Sequence, residues 1–106
     1  MAKFLAIASY TTDGMRELAD HGASGRIEAS KKLVAEAGGS IESFYYAFGS
    51  DDAFILIDLP DNVAAAATAI AAGASGVVVN RMVPLLTPAE IDEAVSRNLH
   101  MASHTR

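Results

Sequence analysis

Tyr10, His21, Arg26, Tyr46 and Arg81 are the side chains of this sequence whose types and settings best suit chemistry on a small molecule. His21 carries an imidazole and is the best candidate acid or base. Arg26 and Arg81 are fixed cations with planar donor sets, able to hold a carboxylate or to stabilise developing negative charge. Tyr10 and Tyr46 each carry an apolar ring with a polar tip. His21 opens the run His21-Gly22-Ala23-Ser24-Gly25-Arg26. A glycine-rich break before a helix leaves backbone N–H groups free to meet an anion, with Arg26 beside them. The run lacks the spacing of a phosphate loop, and glycines that let a helix bend round a sheet account for it more simply. Asp51-Asp52 adds Asp52 as a second catalytic candidate, because adjacent carboxylates can raise one another's pKa. Asp also forms turns by bonding its own backbone, and strand alternation would point the two side chains apart. His100 and His104 have the four-residue spacing of helical metal ligands, but no third ligand accompanies them, so no metal site and no cofactor are expected.

The elements that must position these residues centre on Ile41 to Pro60, two apolar runs joined by Gly49-Ser50-Asp51-Asp52. The runs read as paired strands and the joint as a turn. In the second run Ala53, Ile55, Ile57 and Leu59 are apolar and so are Phe54 and Leu56 between them, so both faces of the strand need cover. The first run places Phe44, Tyr46 and Phe48 on one face and Ile41, Tyr45 and Ala47 on the other. One layer of helices covers one face of a sheet. In a chain of 106 residues, the expected cover for the second face is another copy of the chain.

Lys3 to Thr11 reads as a first strand rather than as a leader segment, and it is followed by a helix capped by Thr12 or Asp13. That helix breaks or kinks at His21 to Gly25, resumes from Arg26 to Ala37 and stops at Gly38-Gly39. Pro60-Asp61-Asn62 caps an alanine-rich helix from Val63 to about Ala74, with Val63, Ala66, Ala67 and Ile70 as its expected buried stripe. Val77 to Val83 is a fourth strand, closed by Pro84. Thr87-Pro88-Ala89-Glu90 is a capping box with proline in the first turn. The helix it opens is expected to carry Ile91, Ala94, Val95 and Leu99 toward the body, with a frayed tail from about residue 101. Arg81 shares its side of a strand with Val77, Val79 and Val83. A buried arginine there needs a ligand or a carboxylate, for which Asp58 is the candidate. The order is βαββαβ with an extra C-terminal helix: one α+β, ferredoxin-like domain over residues 1–106 with an antiparallel sheet and both crossover helices on one face.

Composition limits the function classes. Thirteen acidic against 8 basic residues give a net charge of -5, and the basic residues are scattered, which excludes a nucleic acid or an anionic membrane surface as the main partner. Charges, Gly and Pro interrupt every apolar run well short of the roughly 20 residues that span a bilayer. The absence of cysteine removes disulfides and thiolate chemistry and makes the cytoplasm the expected compartment.

Met1-Ala2-Lys3-Phe4-Leu5, Gly38-Gly39, Phe44-Tyr45-Tyr46-Ala47-Phe48-Gly49, Asp58-Leu59-Pro60-Asp61-Asn62 and Pro84-Leu85-Leu86-Thr87-Pro88, in this order and spacing, resemble the GYD domain family. The Gly-x-Tyr-Asp of the family's name stands here as Gly49-Ser50-Asp51-Asp52, so Asp51 replaces the tyrosine. The resemblance implies a ferredoxin-like fold of the dimeric α/β-barrel group, and it implies no particular reaction. The expectation is therefore a homodimer or higher homo-oligomer joined through the sheet. It would bind a small anionic or aromatic molecule in a cleft between sheet and helices lined by Tyr10, His21, Arg26, Tyr46 and Arg81, with cofactor-free catalysis as an extension. The alternative is a structural or regulatory oligomer without chemistry.

Overall fold

The structure, a computed structural model, describes residues 1–102. Its elements run β1 (Ala2–Tyr10), α1 (Thr12–Glu36), β2 (Ser40–Tyr46), β3 (Ala53–Leu59), α2 (Asn62–Ala74), β4 (Val78–Leu85) and α3 (Pro88–Ser96). The strands form one antiparallel sheet in the order β2-β3-β1-β4. This is the expected α+β, ferredoxin-like arrangement, in which each βαβ half contributes one central strand and one edge strand.

Strand register assigns the faces. Phe4 lies between Ile57 and Pro84, Ala6 between Ile55 and Met82, Ala8 between Ala53 and Asn80, and Tyr10 beside Val78. This side of the sheet carries the helices, and its core is Phe4, Ala6, Ile55, Ile57 and Leu59 packed with Val34 of α1 and Ala65 of α2. The other side carries Leu5 and Ile7 of β1, Phe54 and Leu56 of β3 and Val83 of β4, aligned across the strands. Tyr45 and Val79 on that side remain 70% and 69% exposed. Proline within β4 is tolerated because β4 is an edge strand with one side unpaired.

Several elements differ from the sequence reading for identifiable reasons. A bulge between Ile41 and Ser43 shifts the register of β2, so Ile41 opposes Ile57 and joins Phe44 and Tyr46 on the helix side instead of facing away from them. Thr11 rather than Thr12 or Asp13 caps α1, its Oγ1 accepting from Gly14 N at 3.1 Å. The helix then continues to Glu36 with a kink confined to Gly22, whose φ of 69° and ψ of -177° only glycine adopts readily. In α2 the buried residues are Ala65 and Thr68, whereas Val63 and Ile70 are 78% and 71% exposed. Ala66 and Ala67 are exposed as well, so none of the four residues of the expected stripe is buried, and the helix meets the sheet through Ala65 and Thr68 instead.

The capping box of α3 is formed as its sequence predicts: Glu90 N donates to Thr87 Oγ1 at 3.1 Å and Thr87 N to Glu90 Oε1 at 2.8 Å. The helix ends at Ser96, however, and buries none of its residues. Ile91, Val95 and Leu99 do not pack on the body; Val95 and Leu99 are 72% and 88% exposed. The molecule accordingly extends to 59 Å with a radius of gyration of 17.0 Å, against about 13 Å for a compact chain of this length.

Candidate functional site

Between the helix side of the sheet and the two helices α1 and α2 lies a cavity of about 290 Å³. Its origin is visible in the side chains that meet there. Ala6 and Ala8 of the central strand face Ala69 and Ala72 of α2, and Ala29 of α1 adds a further small side chain. Methyl groups on opposing elements cannot fill the space that a sheet-to-helix spacing of about 10 Å leaves. The larger residues Leu33, Val34, Ile41, Ile55, Ile57 and Met82 wall the rest. The cavity is therefore apolar over most of its surface, with Tyr10, Arg26, Ser30, Thr68, Ser75 and Asn80 as its polar lining.

The polar groups divide by whether the fold already satisfies them. Thr68 Oγ1 donates to Ala64 O at 2.9 Å and Ser75 Oγ to Ala72 O at 2.6 Å, so both hydroxyls are held by their own helix. Asn80 Nδ2 donates to Ala69 O at 3.2 Å, tying β4 to α2 and fixing which way the amide points. Its Oδ1 is buried without a hydrogen-bond partner, and so is Nε of Arg26. Each such group costs about 1–3 kcal/mol.

An aromatic row leads from Arg26. Its guanidinium carbon sits 5.7 Å from the centre of the Tyr10 ring, within cation–π range. Tyr10 lies 6.4 Å from Tyr46, ring centre to ring centre, and Tyr46 lies 5.1 Å from Phe44. The hydroxyls of Tyr10 and Tyr46 are 3.5 Å apart. Partial burial first, and then the hydrogen bond with the Tyr10 hydroxyl, hold the Tyr46 phenol above its ordinary pKa, with Arg26 opposing the shift. Tyr46 thus stays a neutral hydrogen-bonding group at physiological pH. Tyr10 is fixed from behind by Asp52, whose Oδ2 accepts from Tyr10 N at 2.8 Å while Asp52 N donates to Ala8 O at 2.9 Å.

The sequence candidates therefore separate into groups. Tyr10 and Arg26 line the cavity and Tyr46 adjoins them. His21 is exposed on α1, one residue before the kink, and is not part of the lining. Arg81 projects from the opposite side of the sheet, where its Nη2 lies 3.7 Å from Asp51 Oδ2. Asp58 is not its partner. That carboxylate meets Lys3 at 2.8 Å, and Lys3 also pairs with Glu42; Asp58 first and Glu42 second raise the pKa of Lys3. Asp52 acts on the backbone of β1 rather than in the cavity, and Asp51 spends its charge on Arg81. Among the described residues no cluster of His, Cys, Asp and Glu could hold a metal ion. His100 lies beyond the end of α3, so it lacks the helical setting that its spacing to His104 requires, and His104 lies outside the described residues.

Asn80 and the alanines are the site residues that sequence reasoning passes over. Asn80 interrupts an otherwise apolar strand segment, Val77-Val78-Val79-Asn80, and a single amide on the helix side of a β4 strand is a signal that could have marked it. Alanines read as close packing in the sequence; in the fold they leave room. No helix among the described residues is long and apolar enough to cross a membrane.

Comparison with known proteins accords with this description. No curated protein and no solved structure gives a significant match. The family described as GYD domain matches residues 4–95, from the second residue pair of β1 into α3. With the match running through all four strands, less the first two residues of β1, and both crossover helices, the chain belongs to the GYD domain family.

Proposed function

We propose that this protein is a cytoplasmic homodimer, joined through its open sheet face, that binds a small apolar molecule with an anionic or aromatic group in the cavity between sheet and helices. The observation that carries the reading is the cavity itself: an apolar chamber of about 290 Å³ with Arg26 and Tyr10 at its polar lining. Pockets that hold small molecules combine this kind of wall with a few convergent polar groups. The residues lining it include a cation and a phenol but no carboxylate or imidazole, so the site favours holding a molecule over abstracting a proton from one. The dimer follows from the face opposite the helices. Half-buried Leu5, Phe54, Leu56 and Val83 form one apolar surface across β1, β3 and β4 around the buried Ile7, of the kind that a twofold-related copy covers.

Methyl-resolved NMR of protein titrated with 2-naphthoate tests the site. Resonances of Ala6, Ala72 and Met82 are expected to shift, while those of Leu5, Leu56 and Val79 on the opposite face stay in place. Shifts confined to the opposite face would place binding elsewhere, and no shift at millimolar ligand would favour a scaffold without a ligand.

A further inference from the structure

The open side of the sheet carries charge at two diagonally opposite corners. At one, Lys3 of β1 faces two carboxylates, Asp58 of β3 at 2.8 Å and Glu42 on the edge strand β2, so this corner keeps one negative charge in excess. At the other, on the edge strand β4, Arg81 opposes Ile7 and its side chain is 66% exposed. The nearest carboxylate, Asp51, is 3.7 Å away, beyond hydrogen-bond reach. Between the corners lie the half-buried Leu5, Phe54 and Leu56 of the two central strands.

We infer that a second copy of the chain packs on this face in one orientation, with Arg81 of each protomer meeting the partner's Glu42. This rests on the proposed sheet-face dimer and specifies how its halves meet. A twofold axis that turns the face onto its copy lies in the plane between them. An axis along the strands would lay the carboxylates over the partner's Val83 and Leu85, and one across the strands would lay Arg81 there. Either leaves a charge on apolar surface, which is costly. An axis at right angles to the line joining Arg81 and Glu42 instead sets each charge on its opposite. The midpoint of that line falls over Leu5, Phe54 and Leu56, so the same axis stacks apolar residues at the centre and charges at the rim, the usual anatomy of an interface.

Register gives the direction of the line. Arg81 and Glu42 lie on the two edge strands, about 14 Å apart across the sheet at the usual strand spacing. Along the strands, Glu42 lies between Ser40, which opposes Asp58, and Ser43, which opposes Leu56, and is therefore level with Lys3 to Leu5 of β1. Arg81 is level with Ile7, about 7–13 Å further on. The line runs oblique to the strands, so the strands of the two protomers cross steeply, nearer the orthogonal than the aligned class of sheet packing.

Charge exchange tests the pairing. Arg81→Glu sets two carboxylates against each other at both symmetry-related contacts, and Glu42→Arg sets two cations there. Each variant alone is expected to dimerise at least about tenfold more weakly than the wild-type protein. An equimolar mixture of the two should recover the loss as a heterodimer, because both of its contacts then join a carboxylate to a guanidinium. Native mass spectrometry over a dilution series separates homodimer from heterodimer by mass. Asp51→Asn, which removes the other carboxylate near Arg81, should leave the dimer at wild-type strength. If Arg81→Glu does not fold, Arg81→Gln, which only removes the charge, should give a partial loss. Single variants that dimerise like the wild type, or weakened variants that the mixture does not rescue, would overturn the pairing while leaving the sheet-face dimer. A monomeric wild-type protein would overturn both together.

Discussion

Leu56→Lys is expected to leave a folded monomer. Leu56 sits on the open side of the sheet, half-buried, opposite Leu5 of β1 and Ser43 of β2. Within a twofold interface built on that side, the substitution puts an unpaired ammonium into an apolar contact at two symmetry-related places. The penalty is several kcal/mol for each ion, enough to shift micromolar protein to the monomer. In the separated subunit the same side chain lies along its neighbours with its charge in water, and stability should change by less than about 1 kcal/mol. Light scattering after size-exclusion chromatography reads the mass and a thermal melt reads the fold. Val63→Lys, at a position on α2 that is 78% exposed, should alter neither. A Leu56→Lys protein that keeps the wild-type mass would move the interface elsewhere, to the outward stripe of α2 or to α3.

Gly39→Ala should be strongly damaging, costing about 3 kcal/mol or more, the upper end for overpacking a core. A Cβ at Gly39 would overlap the backbone carbonyl oxygen of Asp58 and lie 2.7 Å from Leu59 Cδ2. Neither neighbour can yield cheaply. Asp58 is paired through β3 with Lys3 of β1 and Ser40 of β2, and Leu59 is fully buried. Gly38→Ala supplies the comparison. Gly38 has φ of 87°, and an added Cβ would meet only the Pro60 ring, at 3.2 Å from Cγ and 3.9 Å from Cδ, so its main cost is the left-handed backbone, about 1–2 kcal/mol. Urea denaturation of both variants should rank Gly39→Ala well below Gly38→Ala. The reverse order would mean that β2 enters the sheet differently from the register described.

Much of this fold was legible because local rules and tertiary packing agree. Thr87-Pro88-Ala89-Glu90 specifies a helix start whatever surrounds it, and the doubly apolar β3 could only be a central strand. The failures arise where a tertiary partner decides. The bulge at Ile41 and Ser43 reverses the parity of β2, and no side-chain pattern announces it. In α2, Val63 and Ile70 are the most hydrophobic residues by size, yet the sheet accepts alanines, since larger side chains would occupy the cavity. The stripe on α3 is real in sequence, but in a single chain there is no surface for it to cover. Arg81 illustrates the limit for the site. Its alternation with valines is correct, but which side of the sheet that alternation faces depends on pairing with β1, and the answer separates it from Tyr10 and Arg26. Asn80 escaped notice because its role is to tie β4 to α2 through Ala69 O, a contact of the folded state alone.

Native mass spectrometry of the protein as isolated tests the central claim most directly, since it reads assembly and retained small molecule in one spectrum. A dimer or a larger even-numbered assembly carrying a reproducible extra mass, of the size of a small organic molecule and lost on Arg26→Met, is the predicted result. A clean monomer with no added mass would contradict both the sheet-face dimer and the occupied cavity.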